Sequence, residues 1–451
     1  MDTRDAIDFA SQPVGKLFRR MLGPTLLSMI SIVILNFSDG AFIGNGAGAE
    51  SLAAVNIAAP IFNLMAGLAI MFGIGGSVVV SIHLSRGHIK AARINMTQAV
   101  IGTVAVALLM AVFILSDLPR TCRLFGSSEA LIPLASSYLK WIALSSPIVM
   151  LDIMLRFMVR LDGSPNYAMV CSVLASILNI VLDYVFIFPV GWGLEGAAIA
   201  TSISFSLSGL AQVAYILFLS KTLRFYRLKM SLKSLWLTLR NIGYQMKMGF
   251  SVMLGEVALS GAVIVGNFIF IHYLGDAGVA AYSVACYCFP IIFMFANSIV
   301  QSAQPIVSFA HGRANSERLR QSKRLMLRWA VGAGAALSVA MYVLTPYLTR
   351  LFLSPAHEAY AICVEGFPYF ITGVLFSSLN IVLIGYLQSV EQSALATIYT
   401  CLRGIVIVIP CFLLLPRWLG IVGIWLAIPL AEFITFIIIV INSQFIHRQT
   451  K

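Results

Sequence analysis

The sequence is poor in charged residues. Charged side chains make up 11% of the 451 residues, hydrophobic residues make up 59%, and the mean hydropathy is +0.92. A soluble globular domain normally contains about 25% charged residues. This shortage of charge excludes an ordinary soluble protein, and we expect an integral membrane protein.

The sequence also lacks the signatures of a catalytic or metal centre. Its seven cysteines and six histidines are scattered, with no CxxC pair and no spacing suited to zinc. It contains no Gly-rich phosphate loop after a strand, no GxSxG motif and no HExxH motif. These absences argue against a nucleotide-driven pump, a hydrolase and a zinc enzyme, so we expect no enzymatic activity, no catalytic residue and no cofactor.

Long hydrophobic runs are abundant instead. A helix needs about 20 residues to cross roughly 30 Å of hydrocarbon, and runs of that length recur along the whole chain. They are continuous rather than alternating, which excludes a β-barrel. We predict an all-α integral membrane protein with twelve transmembrane helices. The predicted spans are 17–43, 52–83, 97–117, 131–156, 167–189, 193–219, 245–273, 276–310, 325–349, 359–387, 393–415 and 419–446.

Basic residues are distributed unevenly. The chain has 30 Lys and Arg against 18 Asp and Glu, a net charge of +12. Most of the basic residues lie in alternate loops, above all at 221–247 and 313–328. Short loops rich in Lys and Arg stay in the cytoplasm, so both termini are predicted to be cytoplasmic. Attraction to anionic lipid headgroups accounts for the positive charge, and we expect no nucleic-acid partner.

The longest polar interruption divides the chain into halves with six predicted spans each. The predicted domains are an N-terminal lobe at 1–220, a basic cytoplasmic linker at 221–247 and a C-terminal lobe at 248–451. An even number of spans gives both halves the same orientation. We therefore expect two six-helix bundles with a cleft between them, related by a pseudo-two-fold axis along the membrane normal.

Weak internal similarity supports a repeat. Pro189 and Gly196 recur as Pro416 and Gly423 at one offset along the chain. Two further segments match at that offset: VSIHLSRG at 80–87 and VSFAHGRA at 307–314.

A polar pair stands out within the fifth predicted span. Asn179 and Asp183 are at i and i+4 and share one helix face. A charge at the bilayer centre costs at least roughly 2.5 to 3.5 kcal/mol, so such residues usually mark an ion or proton pathway. This pair indicates a transporter.

Several segments resemble one transporter family. They are SDGAFIGNGAGAESLAAVNIAAPI at 38–61, DGSPNYAM followed by LNIVLDYVFIF and GLEGAAIAT, and QPIVSFAHG at 304–312. Together with the six-plus-six arrangement, they resemble the multidrug and toxic compound extrusion (MATE) family over nearly the whole chain. The resemblance implies secondary active efflux of organic cations or drugs by antiport with Na⁺ or H⁺.

The resemblance also implies site residues. Asp39, Asn179, Asp183 and Thr201 correspond to the family's cation or proton site, and Glu256 corresponds to an acidic position that is a candidate substrate contact or second acidic site. Two carboxylates, an amide and a hydroxyl suit Na⁺, a hard cation that prefers oxygen. A carboxylate removed from water can instead hold a proton. The sequence leaves both ions open, and the four residues form a metal site only if the ion is Na⁺.

The chain departs from the family pattern at three positions. Leu35 and Tyr184 stand where many members have Tyr and Pro, and Glu432 stands where an Asp is common. These departures leave the particular substrate open.

Each candidate also has a structural interpretation. Asp183 would be structural if it paired with Lys140 or Arg403, the plausible basic residues within spans. Asp152 and Arg156 are at i and i+4 and are interpreted as a structural pair.

The alternative function is a flippase or exporter of lipid-linked saccharides or another amphipathic metabolite. A predominantly basic central cavity would favour it, whereas this chain has acidic residues within its spans. A channel or membrane-embedded enzyme is disfavoured because no filter-like segment or clustered nucleophile is present. We expect a monomer in the cytoplasmic membrane of a bacterium or archaeon.

Overall fold

The chain is helical throughout the part that the structure describes. This computed structural model describes residues 8–449 except Gly126, Ser128, Met230 and His357. No strand occurs among these residues, so the predicted all-α fold is confirmed. Both termini, predicted to be cytoplasmic, lie outside the described residues.

Thirteen α-helices and three π-helical turns form the described chain. The first part contains α1 (Val14–Phe42), a π-helical turn (Ile43–Ala47), α2 (Ala49–Ser85), α3 (Ile89–Ser116), α4 (Leu118–Leu124), α5 (Ile132–Leu161), α6 (Pro165–Ile187), α7 (Gly193–Ala214) and a second π-helical turn (Tyr215–Leu219). The second part contains α8 (Leu232–Gly312), α9 (Ser316–Phe352), α10 (Glu358–Ile371), α11 (Val374–Ser389), α12 (Ser393–Cys401), a third π-helical turn (Leu402–Val406) and α13 (Val408–Gln449).

The number of spans follows from where the long helices break. Nine helices in the described chain are long and apolar enough to cross a membrane, and α10 with α11, bent by 44°, forms a tenth. Gly275 interrupts α8 with φ 61°, and Gly420 interrupts α13 with φ 57°. Glycine adopts this left-handed conformation without the steric penalty that a Cβ brings. Each interrupted helix therefore supplies two spans, and the twelve predicted helices are confirmed.

The chain forms two compact units. Unit 1 comprises Met1–Met253 and Pro305–Ser316, and unit 2 comprises Leu254–Gln304 and Glu317–Lys451. The predicted boundaries of the lobes stay predictions. Part of the predicted linker is helical, because α8 begins at Leu232.

In unit 1, α5 lies at the centre of the packing. It contacts α2, α3 and α7, while α6 packs against α1 and α7. In unit 2, aromatic side chains fill much of the core: the rings of Phe270 and Tyr282 stack at 4.4 Å, and Trp425 meets Phe270 edge-on at 4.9 Å. Burial of such large apolar side chains supplies the main packing energy.

The repeat in the sequence has a structural counterpart within unit 1. Nε of Arg86, after α2, donates to the carbonyl oxygen of Gly312 at 3.2 Å. Nε of Arg313, after α8, donates to the carbonyl oxygen of Ser85 at 3.1 Å. These residues occupy matching positions in the repeated segments 80–87 and 307–314. The two helix ends thus satisfy each other's orphan carbonyl groups reciprocally.

Two glycines bring α2 and α8 into close contact inside unit 1. A Cβ atom on Gly75 would lie 2.0 Å from the carbonyl oxygen of Gln245, and one on Gly249 would lie 1.9 Å from that of Met71. Small residues at a helix crossing allow the backbones to approach in this way.

Candidate functional site

Asn179 and Asp183 lie on one face of α6, and both side chains are fully buried. Asn179 and Asp183 form a polar strip along this face of α6, whereas other positions of the helix carry exposed apolar residues such as Leu174, Ile177 and Val181. The apolar side chains therefore face outward, and the polar strip faces the interior of unit 1.

The Asn179 side chain connects α6 to α7. Its amide nitrogen donates to Asp183 Oδ2 at 3.0 Å, and its oxygen accepts from Thr201 Oγ1 and from the Thr201 backbone N–H, both at 3.2 Å. We assign this amide orientation because it satisfies both ends of the group. The structure therefore brings together three of the four residues predicted for the cation site.

Asp39, the fourth predicted residue, lies near the end of α1. It is close enough to Asp183 for the two carboxylates to interact electrostatically. The π-helical turn at Ile43–Ala47 follows directly, and such turns are frequent at functional sites. A Ser176 Oγ to Ser31 Oγ hydrogen bond of 3.3 Å joins α6 to α1 nearby.

Tyr138 on α5 is a site residue that the sequence reasoning missed. Its side chain is buried, and it interacts electrostatically with both Asp39 and Asp183. A single Tyr in an apolar span resembles ordinary packing, so the sequence carries no signal for it apart from its polar hydroxyl within the membrane.

In each of the two carboxylates, one oxygen is left without a hydrogen-bond donor among the described residues. Oδ1 of Asp39 and Oδ1 of Asp183 are buried and accept no hydrogen bond from any described residue. Neither structural partner proposed from sequence neutralises Asp183: Lys140 is exposed with its ammonium 5.7 Å from the Trp141 ring, and Arg403 pairs with an acid in unit 2. Like charges placed together in a low dielectric disfavour double ionisation. The arrangement therefore favours uptake of a cation or a proton.

The donor set defines which cations fit. Two carboxylates, an amide oxygen and the hydroxyl of Thr201 are all oxygen donors, the type that hard cations prefer. The described residues contain no group of three or more His, Cys, Asp or Glu arranged for a metal ion. The chemistry of this oxygen set matches Na⁺ or a proton rather than a soft transition metal.

Glu256 belongs to unit 2, whereas the cluster of Asp39, Asn179, Asp183 and Thr201 belongs to unit 1. It lies on the part of α8 that belongs to unit 2, between the start of the helix at Leu232 and the break at Gly275. Leu35, one of the three departures from the family pattern expected from the sequence, is buried and packs with Val149 and Phe205. The apolar side chain thus fills space between α1, α5 and α7.

Unit 2 contains an ion pair between the partly buried Arg403 and the buried Glu432 that the sequence reasoning also missed. The Arg403 guanidinium pairs with Glu432, with Nε 3.1 Å from Oε1 and 3.2 Å from Oε2. Asn380 Nδ2 donates to Glu432 Oε2 at 2.7 Å, and Arg403 Nη2 donates to Ser377 Oγ at 3.0 Å. The ion pair borders a small cavity of about 50 Å³ that Phe293 also lines. The sequence signal for this ion pair was the presence of opposite charges, Arg403 and Glu432, in the last two predicted spans.

Asp152 and Arg156 form the ion pair predicted from their spacing. Both side chains are buried, and Asp152 Oδ1 also accepts from Ser208 Oγ at 2.5 Å and from Gln212 Nε2. These contacts tie α5 to α7 and satisfy the acid, in contrast to Asp183.

Known proteins resemble this chain in sequence over most of its length. The family model MatE matches residues 24–185 and 249–413. The chain is similar to the multidrug export protein MepA of Staphylococcus aureus (strain MSSA476), with 22% identity over 94% of this chain and 92% of the relative. It is 24% identical to MepA of Staphylococcus saprophyticus subsp. saprophyticus, with the same coverage.

Solved structures share the fold. One is an outward-facing conformation of a multidrug resistance MATE family transporter of the MOP superfamily, with a TM-score of 0.88 and 21% identity over 99% of this chain and 98% of that chain. Another is a MATE protein in the straight conformation, with a TM-score of 0.89 and 21% identity over 98% of each chain.

Proposed function

Because the chain belongs to the MatE family of multidrug and toxic compound extrusion transporters, we propose that it exports organic cations or drugs by antiport with Na⁺ or H⁺. It is a multi-pass membrane transporter, and its relatives are named for multidrug export. The proposal concerns the cargo, the coupling ion and the residues that bind the ion.

The observation that carries the proposal is that Asp39 and Asp183 each have a buried carboxylate oxygen without a hydrogen-bond partner among the described residues. A structural acid in a membrane protein is normally paired, as Asp152 is with Arg156 and Glu432 with Arg403. Asp183 instead has a buried oxygen without a partner among the described residues. We assign to this pair the binding of the coupling ion.

The contacts around Asp39 and Asp183 indicate how ion binding can change the positions of the helices. Asn179 holds α6 to α7 through Thr201, and Asp39 belongs to α1. A cation between the two carboxylates removes their mutual repulsion and draws the end of α1 toward α6. Release of the cation restores the repulsion and favours separation. Ion binding can shift the transporter between states only through such a difference in interaction energy.

We further propose that the protein lies in the cytoplasmic membrane of a bacterium or archaeon, with both termini inside, and acts as a monomer. The positive charge of the loops at 221–247 and 313–328 supports this orientation. The bacterial origin of the relatives supports the location.

Transport in proteoliposomes tests the proposal. Movement of a fluorescent organic cation is measured under a Na⁺ gradient alone and under a H⁺ gradient alone, for the wild type, Asp183→Asn and Glu129→Gln. Glu129 is an exposed acid that pairs with Arg123 outside the spans, so its amide controls for loss of one carboxylate. Gradient-driven transport that disappears only in Asp183→Asn is the expected result. Gradient-driven transport that persists in Asp183→Asn contradicts the assigned site. A folded wild type that shows no gradient-dependent transport contradicts antiport itself and leads to tests with lipid-linked substrates.

A further inference from the structure

A second polar feature of unit 1 takes no part in the proposed coupling. It is an open cavity of about 750 Å³ between the end of α2, the start of α3 and the start of α8. This volume is within the range of small-molecule binding sites. We refer to it as the basic pocket.

Cationic side chains dominate the basic pocket. Those that line it are Lys90, Arg227, Lys229, Lys233 and Arg240. Among the described lining residues there is no Asp or Glu. Five like charges around one cavity repel each other, and a bound anion would relieve this repulsion. The pocket therefore has the electrostatics of an anion-binding site.

The inner wall of the pocket offers neutral hydrogen-bonding groups. Gln98 Nε2 donates to Thr238 Oγ1 at 3.1 Å, and Asn241 Nδ2 donates to Gln98 Oε1 at 3.1 Å. This network holds α3 against α8. Tyr226 and Tyr244 add hydroxyl groups to the lining, and the Lys90 ammonium lies 5.6 Å from the Tyr226 ring. Polar groups on a fixed wall, with cations around them, suit a ligand that has both phosphate and hydroxyl oxygens.

The first turns of α8 place the pocket beside an apolar surface. Leu232, Leu235, Trp236 and Leu239 are spaced at i, i+3, i+4 and i+7, and all four are exposed. Lys233, Ser234, Leu237, Arg240 and Asn241 line the pocket. One helix thus presents an apolar face with a Trp and a basic face, the pattern of helices at the membrane surface.

We propose that the basic pocket binds the phosphate-containing headgroup of an anionic phospholipid. Its acyl chains would lie along the exposed face formed by Leu232, Leu235, Trp236 and Leu239. Free phosphate offers the same oxygen chemistry but would make no contact with that apolar face. The apolar face therefore favours the lipid as the ligand. The predicted cytoplasmic position of this end of unit 1 agrees with the anionic charge of that leaflet.

Lipid titration of the purified, full-length protein tests the proposal without relying on transport. Phosphatidylglycerol is added to protein in micelles containing phosphatidylcholine, and bound lipid is counted by native mass spectrometry while thermal stability is followed. The variant Lys229→Gln/Lys233→Gln/Arg240→Gln removes three cations from the pocket. Arg19→Gln/Arg320→Gln/Arg324→Gln removes the same charge from exposed positions elsewhere.

The pocket variant should need on the order of 100-fold more phosphatidylglycerol for half-saturation, at roughly fivefold per cation. The phosphatidylglycerol concentration for half-saturation of the control variant should change by less than about threefold. Equal losses in both variants overturn the proposal. Stabilisation of the wild type by millimolar inorganic phosphate to the same extent as by the lipid also overturns it. If the triple variant does not fold, Lys233→Gln alone, with its exposed side chain, should show the roughly fivefold loss, and an unchanged half-saturation contradicts the site.

Discussion

Replacement of Gly249 by Ala should separate two helices of unit 1. The added Cβ would lie 1.9 Å from the Met71 carbonyl oxygen, 2.6 Å from the Met71 carbonyl carbon and 2.8 Å from Met71 Cα. All three atoms belong to the backbone of α2, so no side-chain rotation relieves the clash. An ordinary Cβ contact is 3.4 Å or longer, and α2 and α8 must therefore move apart by about 1.5 Å.

The magnitude follows from the loss of packing at this crossing. Overpacking in a well-packed core usually costs about 1–3 kcal/mol, and a clash between two backbones belongs at the upper end. Gly243, earlier on the same helix, is the matched control, because a Cβ there meets no atom within 4 Å. Gly243→Ala should stabilise α8 by about 0.5–1 kcal/mol, since glycine in a helix interior is unfavourable by that amount. The two substitutions should therefore have opposite signs.

Thermal unfolding in one detergent at one protein concentration measures the difference. Gly249→Ala should lower the apparent Tm and Gly243→Ala should raise it slightly. Gly75→Ala should resemble Gly249→Ala, because its Cβ clashes with Gln245 across the same crossing. The double variant Gly75→Ala/Gly249→Ala should lower the apparent Tm by less than the sum of the two single decreases, because one separation of α2 from α8 relieves both clashes. An apparent Tm of Gly249→Ala equal to or above the wild type would refute the close crossing.

Further outcomes follow from the two charged sites. Thr201→Val should weaken binding of the coupling ion about tenfold while stability changes by less than about 1.5 kcal/mol, and Thr201→Ser should retain ion binding; the ion concentration that gives half-maximal transport measures both. Arg403→Gln should destabilise the protein by about 3–5 kcal/mol, because Glu432 is left buried without its cation. Arg403→Gln/Glu432→Gln should recover most of that loss in apparent Tm, and a double variant as unstable as the single one contradicts a compensated pair.

Hydrophobic runs alone predicted the spans of this protein well. The predicted spans 245–273 and 276–310 lie on either side of the break at Gly275. The sequence also identified Asn179 and Asp183 on α6 as a candidate site. A carboxylate and an amide one turn apart in an apolar run are costly in a membrane and are seldom kept without a role.

Other features depend on three-dimensional neighbours, so the sequence alone did not identify them. Tyr138 belongs to the site only because α5 packs beside α6, and an aromatic residue in a span is usually packing. Arg403 pairs with Glu432 across two helices that share no local spacing rule. Whether Asp183 was compensated also required the structure, since Lys140 lies on a nearby helix but points outward.

Simultaneous measurement of ion and substrate movement tests the central claim most directly. Liposomes containing a pH-sensitive or Na⁺-sensitive dye report ion flux while the fluorescent cation reports substrate flux in the same vesicles. The account predicts that imposed substrate movement drives flux of one of the two ions in the wild type, and that Asp183→Asn abolishes this coupled flux while the protein remains folded. Undiminished coupled flux in Asp183→Asn would show that the pair formed by Asp39 and Asp183 does not bind the coupling ion.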